Sequence, residues 1–299
     1  DENLDKSCYG LKNVHVRDLS GLLYICLAAE PPRDFDELRD AVAPYLAPHK
    51  LQDTKIAVQI DLVEEGNWKL TMENNRECYH CGSHPELLET TFGIMGIDLD
   101  NPPPDKVDAV AQFRSAESEL HAMCKIKGFP FRASEHLDDR VTAFRIERRP
   151  MTAAGESFTI DGRAASKRLL GDFEHPRSGF LTFHQQPNAW HHFLADHVIT
   201  FTVLPLTPTR TLVRTTWLVH KDAVEGVDYD RENLIRVWDA TNRQDQTFVE
   251  LAQEGSANPF YEPGPYSPSE SMVEQFLRWY ITQLKVQMDT DKIDRIAAE

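Results

Sequence analysis

The feature that most constrains this chain is residues 73–85, where acidic, histidine and cysteine side chains crowd into one short segment. A helix through this segment would place two acids and two histidines within about a 60° arc, namely Glu73, Glu77, His80 and His84. The two cysteines lie outside this face or at its edge. Nitrogen and oxygen ligands that leave coordination positions open are typical of redox iron.

The segment could have other roles than binding a single iron. The two histidines could bind no metal at all, or the segment could bind zinc or two irons. Zinc could use the cysteines and histidines together, but the two pairs lie on different faces of a helix and the span is too short for a zinc finger. A carboxylate-bridged di-iron site could use Glu77 and His80, but it requires a second Glu-x-x-His motif. The sequence contains no other such spacing. We therefore predict one iron held by two histidines and a carboxylate from elsewhere.

Residues 66–81, followed by His84-Pro85-Glu86-Leu87, resemble the iron-binding signature of Rieske-type non-haem iron oxygenase α subunits. The nearest group within that family is the quaternary-amine one, whose members act on glycine betaine, stachydrine, carnitine or choline. Residues 187–197, 222–228 and 262–268 also match, so the similarity spans most of the chain.

The resemblance implies that His80 and His84 bind the iron and that Asp196 is the third ligand. Glu77 matches the acid that lies between the iron and the cluster of the neighbouring subunit, so catalytic roles fall to Glu77 and Asp196. Most relatives outside the quaternary-amine group have Asp at the position of Glu77. The family separates its iron histidines by four residues, whereas three residues separate His80 from His84 here.

The Rieske cluster motif, Cys-x-His followed by a distant Cys-x-x-His, is not present as two separate pairs. The overlapping halves between Cys78 and His84 cannot hold a two-iron cluster. The chain therefore resembles the catalytic part of such an enzyme. We assign residues 1–35 to a segment that links to a missing N-terminal Rieske domain, and residues 36–299 to the mononuclear iron catalytic domain.

The function implied by the resemblance is that of a terminal oxygenase component, a monooxygenase that uses O2. It would hydroxylate an N-methyl group of a quaternary ammonium substrate, with glycine betaine as the first choice, and release formaldehyde and the demethylated amine. The 2Fe-2S Rieske cluster is expected in the missing domain, and NAD(P)H and flavin on a separate reductase. The family also implies a homotrimer. Stachydrine, carnitine or choline as substrate, a non-catalytic substrate-binding or partner subunit, and a zinc-dependent hydrolase remain alternatives.

A trimethylammonium group neither donates nor accepts hydrogen bonds, so aromatic faces and diffuse negative charge must recognise it. The aromatic candidates near the predicted third ligand are Phe183, Trp190 and Phe193. A substrate carboxylate would require a donor, and the candidates are His184, Asn188 and His192. All six could instead be structural, and His191 and His192 could support the metal ligands.

Charge and cysteine content narrow the class of protein. The 48 acidic and 32 basic residues give a net charge of −16, which argues against a nucleic-acid surface. An acidic field attracts cations, in agreement with an ammonium substrate, but a solvated acidic surface explains the charge as well. Five cysteines, an odd number without regular spacing, predict a reducing compartment. No apolar run reaches the roughly 18 residues that a membrane span requires. We therefore predict a cytoplasmic protein with neither nucleic-acid nor membrane partners.

Patterning along the chain predicts an α+β fold. Alternation and apolar runs predict strands at residues 15–28, 54–70, 141–146, 158–160, 179–183, 198–205 and 211–219. Helical spacing predicts further helices at residues 34–46, 105–127, 188–197, 228–253 and 267–298. An antiparallel sheet surrounded by helices agrees with the helix-grip fold that the resemblance implies.

Overall fold

The computed structural model describes residues 10–78, 80–90, 97–137, 140–151 and 155–298. An antiparallel hairpin of β1 (His15–Leu19) and β2 (Leu22–Cys26) comes first. The remaining strands are β3 (Thr54–Glu64), β4 (Ser134–His136), β5 (Phe144–Arg149), β6 (Phe180–Gln185), β7 (Ala189–Phe193), β8 (His197–Thr207) and β9 (Arg210–His220). They form one seven-stranded sheet in the order β3-β9-β8-β7-β6-β5-β4, and every neighbouring pair is antiparallel.

Helices cover both faces of this sheet. They are α1 (Phe35–Leu46), α2 (Trp68–Asn74), α3 (Pro85–Thr90), α4 (Val107–Lys127), α5 (Arg231–Ser256) and α6 (Ser271–Ala298). Within the described part of the chain, none of these helices combines the length and apolarity that crossing a membrane demands. The α+β class with a large antiparallel sheet is confirmed.

Side-chain alternation along the strands divides the core into two clusters. One cluster joins sheet residues to α2, α5 and α6, and its large members include Met72, Trp190, Phe201, Trp217, Trp238 and Phe276. The other joins the opposite face to α1, and its members include Leu38, Val42, Phe144, Phe183 and Phe193. The face on which a strand residue lies therefore decides which helices it can contact.

The long helix α5 is fixed at its start by a side-chain cap. The carboxylate of Asp230 accepts a hydrogen bond from the backbone nitrogen of Asn233 at 2.9 Å, which is the usual N-cap geometry. The helix then lies across the sheet with Trp238, Thr241 and Asp245 at intervals of three and four residues, so these side chains share one face. This face points toward the sheet and borders the site described below.

The predicted helix at residues 188–197 is wrong, because this segment forms β7 and the turns on either side of it. Ala189–Phe193 pairs with both β6 and β8 in the middle of the sheet. Both faces of β7 are covered by core, so its sequence lacks the polar alternation that marks a half-exposed strand. Asn188 is consequently no helix cap. Its side-chain amide donates to the carbonyl oxygen of Val203 at 2.7 Å.

The predicted helix through residues 73–85 is also wrong. Helix α2 ends at Asn74, a short 3-10 segment occupies His80–Ser83, and α3 begins at Pro85. Proline at the first position of a helix favours a new start there. The predicted strand at residues 158–160 is a turn instead, and residues 91–96 of the expected loop lie outside the described residues.

The predicted hairpins and most of the other helices are confirmed within a few residues. Strands β8 and β9 pair from His197 with Val219 through to Thr207 with Arg210. Strand β2 is less buried than its apolar run predicted, since Leu23 and Ile25 are 74% and 70% exposed.

A buried carboxyl near the site makes the stability of the fold dependent on pH. Glu64, at the end of β3, is 2% exposed and accepts a hydrogen bond from the hydroxyl of Thr71 at 2.5 Å. The pKa of Glu64 is raised to about 7: burial is the largest cause, the hydrogen bond from Thr71 opposes it, and the charges of Asp245 and Glu250 add to it. Because the pKa in the folded state lies above that in the unfolded state, Glu64 lowers the stability as the pH rises from about 4.5 to about 7.

We expect Glu64→Gln, which cannot ionise, to raise the free energy of unfolding relative to wild type at pH 8 by up to about 3 kcal/mol. The difference should shrink strongly at pH 4.5, where wild-type Glu64 is protonated in the folded state and about half protonated in the unfolded state. Urea unfolding of both proteins at the two pH values measures this. Glu65→Gln, at the exposed neighbouring position, serves as the control. An equal difference for Glu64→Gln at both pH values would contradict the assignment.

Candidate metal centre

The two predicted metal histidines lie on one tight turn between α2 and α3. His80 begins the 3-10 segment, and the backbone nitrogen of His84 donates to the carbonyl oxygen of Cys81 at 3.1 Å. His84 immediately precedes Pro85, and its own carbonyl oxygen accepts from Leu88 at 3.0 Å. The two imidazole centroids are 5.1 Å apart and the rings are nearly perpendicular. The turn therefore brings both rings together without the continuous helix that the spacing predicted.

The carboxylate that joins them is Asp245 on α5. Its Oδ1 atom lies 3.1 Å from Nε2 of His80 and 3.1 Å from Nε2 of His84. One ligand atom from each of these three residues falls within 4.8 Å of the others, and the described residues contain no second group of three of this kind. The site thus combines two imidazoles and one carboxylate, the set that the sequence predicted.

Hydrogen bonds at the outer nitrogens orient both rings. Nδ1 of His80 lies 2.6 Å from Oε1 of Glu77, and Nδ1 of His84 lies 2.7 Å from Oε1 of Gln244. Gln244 in turn donates through Nε2 to Glu86 at 2.9 Å. Donation from Nδ1 turns the Nε2 atoms toward Asp245, as in many metal sites where an outer acceptor fixes the ring orientation.

The atoms at the centre of this group fit a bound cation. Nε2 of His84 and Oδ1 of Asp245 are buried, and neither has a hydrogen bond of regular geometry to any described residue. Buried polar atoms almost always have a partner, so such a pair of inward-facing atoms suits a shared metal ion. Among divalent ions, this donor set suits iron with open coordination positions.

The electrostatics of the ligands agree with this. Burial opposes ionisation of Asp245, but the close contacts and charge of the two imidazoles hold its pKa below the usual range. Burial likewise lowers the pKa of His80, but its contacts with Asp245 and Glu77 outweigh burial and raise the pKa to about 9. A metal ion that binds here therefore displaces a proton from His80.

The prediction of Asp196 as third ligand is wrong. Its carboxylate is fully buried and is occupied by donors from its own surroundings. It accepts from the hydroxyl of Ser157 at 2.9 Å and from the backbone nitrogens of Ala165 and Ser166 at 2.6 and 3.2 Å, and Nδ1 of His197 lies 3.0 Å away. Asp196 thus fastens the loop containing residues 157–166 to the start of β8, and it is no part of the histidine cluster.

A sequence signal for Asp245 exists, although it is weak. The buried positions of α5 include Leu234, Val237, Trp238, Thr241 and Val249. Asp245 lies on the same stripe, four residues from both Thr241 and Val249. An acid on the core-facing stripe of an amphipathic helix requires a partner, because an unpaired buried charge is costly.

A cavity of about 120 Å³ adjoins the histidines. One wall comes from the sheet and the other from the helices; the sheet and α5 contribute Arg149, Thr182, His184, His192, Trp238 and Thr241. Glu77, His80, His84 and Asp245 complete the side nearest the candidate metal position. The cavity thus connects the three ligands to a polar strip of the sheet.

Of the six predicted substrate contacts, the structure brings His184 and His192 to this cavity. Phe183 and Phe193 are wrong, because alternation places them on the opposite face, in the cluster with α1. Trp190 shares the face of His192 but packs in the core against Phe201 at 4.8 Å and does not line the cavity. The side-chain amide of Asn188 donates to the carbonyl oxygen of Val203 and does not line the cavity. His191 contacts Phe183 on the face away from the metal ligands, so it cannot support them.

Trp238 is the aromatic residue that sequence reasoning missed. Its ring stacks on His192 with centroids 4.7 Å apart, and both side chains line the cavity. Burial, with smaller effects of the nearby His191 and His197, lowers the pKa of His192 to about 3, so the imidazole is neutral. Apart from histidines, Trp238 is the one aromatic side chain that the described residues contribute to this cavity.

The number of cysteines also did not predict a disulfide. Cys78 and Cys81 form a disulfide with their Cα atoms 4.9 Å apart, while Cys26 and Cys124 are free. The bond encloses the first part of the histidine turn, since His80 lies between the two cysteines. It therefore limits the positions that the His80 backbone can adopt.

Known proteins resemble this chain over most of its length. Residues 51–286 match a family model described as the ring hydroxylating alpha subunit (catalytic domain). The chain is 40% identical over 292 residues to a glycine betaine monooxygenase oxygenase subunit of Chromohalobacter salexigens, and 41% identical over 281 residues to one of Pseudomonas aeruginosa. These matches cover 97% and 93% of this chain but 63% and 62% of the relatives, so the chain spans less than two thirds of their length.

Solved structures show the same fold. A quaternary ammonium Rieske monooxygenase aligns with a TM-score of 0.58 at 15% identity, over 96% of this chain and 65% of that one. Naphthalene 1,2-dioxygenase from a Rhodococcus species aligns with a TM-score of 0.55 at 16% identity, over 94% of this chain and 68% of that one. At such identities the likeness extends to the fold alone.

The two aspartates give a matched pair of variants. We expect Asp245→Asn to weaken Fe(II) binding by more than about a hundredfold, because even the loss of a residue that supports a ligand costs about 10–100-fold. Asp196→Asn should keep the same iron stoichiometry but lower the melting temperature, because it weakens a fully buried acceptor of several hydrogen bonds.

Anaerobic iron titration and thermal unfolding of both variants measure these effects. Loss of iron from Asp196→Asn at an unchanged melting temperature would reverse the two assignments.

Proposed function

The chain belongs to the family of ring-hydroxylating alpha subunits, in its catalytic domain, and on this premise we propose that it is the mononuclear iron part of a terminal oxygenase that removes an N-methyl group from a quaternary ammonium compound. The observation that carries the proposal is the convergence of His80, His84 and Asp245, with inward-facing atoms that lack other partners, at the edge of a small cavity. Glycine betaine is the proposed substrate.

In this proposal His80, His84 and Asp245 hold ferrous iron, leaving about three coordination positions open. When bound, the iron supplies the activation of O2, with electrons from a 2Fe-2S Rieske cluster. Glu77 and Gln244 keep both imidazoles in the orientation that this binding requires. Helix α5, whose cap fixes its start, carries both the carboxylate ligand and Trp238, so ligand and substrate wall move as one body.

Glu77 also supports the expected route of electrons into the site. Its side chain is 16% exposed, and it borders a second cavity on the other side of the histidine turn, between α2, α5 and the start of α6. His80 borders this second cavity as well. An acid that contacts a metal ligand from the outer side fits the proposed role of Glu77 between the iron and the cluster of a neighbouring subunit.

The size and lining of the first cavity support a small cation as substrate. Its volume of about 120 Å³ is slightly below that of an engineered cavity of about 150 Å³ that binds benzene. Glycine betaine fits this scale better than the larger stachydrine or carnitine. The Trp238 ring and the acids Glu77 and Asp245 offer the π face and negative charge that a trimethylammonium group requires.

The remaining components of the proposal come from the family. The Rieske cluster belongs to a domain that residues 1–35 connect to the catalytic domain of residues 36–299. A separate reductase with flavin and NAD(P)H supplies electrons, and the subunits form a homotrimer. The product of methyl hydroxylation breaks down to formaldehyde and the demethylated amine.

The test uses the oxygenase with its cluster domain and a competent reductase. We expect glycine betaine, O2 and NADH to yield formaldehyde and the demethylated amine in equal amounts. His80→Ala should lose both iron and formaldehyde formation, because it removes a ligand. His175→Ala, at an exposed histidine outside the site, should retain both.

Three outcomes would contradict the proposal. Full iron occupancy in His80→Ala would remove the ligand assignment. Turnover without O2 or reductant would favour a zinc hydrolase. Binding of betaine without any O2 consumption would favour the non-catalytic subunit.

A further inference from the structure

The cavity beside the candidate metal centre is lined by acids near the candidate ligands and by one arginine on the sheet. Glu77 and Asp245 lie at the metal end, on the histidine turn and α5. Arg149 lies at the sheet end, and it is the one arginine or lysine that the described residues contribute to the lining. The guanidinium therefore favours the carboxylate of a dipolar ligand on the sheet side of this cavity.

The register of the sheet groups Arg149 with two hydrogen-bonding side chains. Thr182 on β6 lies directly opposite His192 on β7. On the other side of β6, Thr182 lies opposite Glu147, and Arg149 follows two residues later on the same face of β5. Diagonal neighbours in a sheet are about 7–8 Å apart, within reach of a long side chain. Arg149, Thr182 and His192 thus form one patch at the sheet end.

The donors of this patch are available to a ligand. Both ring nitrogens of His192 are buried without a hydrogen-bond partner among the described residues, although the side chain lines the cavity. His192 is 4% exposed, so these atoms are reached from the cavity rather than from the protein surface. The neutral ring can donate one hydrogen bond, and a carboxylate oxygen in the cavity would accept it.

Arg149 is held in place by Glu147, which also contacts Arg145. Nε of Arg149 lies 2.7 Å from Oε1 of Glu147, whose Oε2 accepts from Arg145 at 2.8 Å. Nε thus contacts Glu147, and Glu147 is the one acid in the described part of the chain that forms an ion pair with Arg149, which also carries two terminal nitrogens. Those nitrogens form the fork that binds carboxylates well.

We propose that Arg149, Thr182 and His192 form a carboxylate-binding subsite that orients a zwitterionic substrate with its ammonium group toward Glu77 and Asp245. The subsite rests on the proposed function and extends it, since it selects betaines over ammonium compounds that lack a carboxylate. The reverse orientation would place the ammonium group beside the guanidinium of Arg149 and leave the carboxylate without this partner. The favoured orientation turns the N-methyl groups to the candidate metal ligands, where the reaction occurs.

Binding of three probes to the iron-loaded protein under anaerobic conditions tests the subsite, with isothermal titration calorimetry as the readout. Glycine betaine carries both charges, choline carries the ammonium with a hydroxyl, and 3,3-dimethylbutanoate carries the carboxylate on an uncharged isostere. We expect Arg149→Gln to weaken glycine betaine and 3,3-dimethylbutanoate by at least about tenfold, the typical effect of losing a charge-assisted hydrogen bond. Choline binding should change less than about twofold, because choline has no carboxylate to lose that contact.

Two further variants and one control complete the design. Arg149→Lys should recover part of the lost affinity. His192→Phe keeps a ring against Trp238, removes both nitrogens, and should weaken the two carboxylates and spare choline. Arg145→Gln is the matched control, because Arg145 shares Glu147 and the strand face of Arg149 but does not line the cavity. It should leave all three affinities within about twofold, since it makes no proposed contact.

The outcomes separate the subsite from the function. Equal weakening of choline and betaine by Arg149→Gln, or no weakening of either carboxylate, overturns the subsite while betaine turnover stands. Arg149-dependent binding of 3,3-dimethylbutanoate without betaine turnover supports the subsite and overturns the proposed function. A thermal melt of each variant verifies folding, and His192→Phe gives an independent reading of the same contact if Arg149→Gln unfolds.

Discussion

The contact on which the site depends is the approach of Asp245 to both histidine rings. It joins a short turn to a helix that lies far along the chain, and it places a carboxylate in a region that already holds acids. The raised pKa of Glu64 is one sign of this, because Asp245 and Glu250 contribute to it. The raised pKa of His80 is another, because Glu77 and Asp245 favour its charged form. A positive charge at the centre, whether a proton on His80 or a metal ion, balances the acids, so the fold and the chemistry share one electrostatic requirement.

The second constraint is the alternation of strands β5, β6 and β7. Thr182, His184 and His192 face the cavity, whereas Phe183 and Phe193 face α1. The same strands therefore supply the wall of the site and the core behind it. Burial on both faces explains why His192 is neutral and why its nitrogens are available to a ligand. The rigidity of a seven-stranded sheet then holds this wall opposite α5, with Trp238 stacked on His192.

The sequence predicts site residues that lie close together along the chain better than those that lie far apart along it. His80, His84 and their supporting acid Glu77 lie within a few residues of one another, so spacing identified them, even though the expected helix is a turn. Asp245 lies on a remote helix, and only tertiary packing brings it to the histidines. The family resemblance points instead to Asp196, next to a segment rich in histidine and tryptophan, but that segment is a doubly buried strand. The hairpin of β8 and β9 was found because its turn is flanked by β-branched strands. Strand β7 was missed because burial on both faces hides its period.

Adjacent residues of β6 have different roles, because one faces the cavity and the next faces the core. This alternation has an evolutionary consequence. A change at an even-numbered position of β6 alters what the cavity accepts, while the odd-numbered neighbours keep their contacts with α1. Single substitutions can therefore change which ligand binds without disrupting the core behind the cavity. Among related proteins, variable and conserved positions should therefore alternate along these strands, residue by residue.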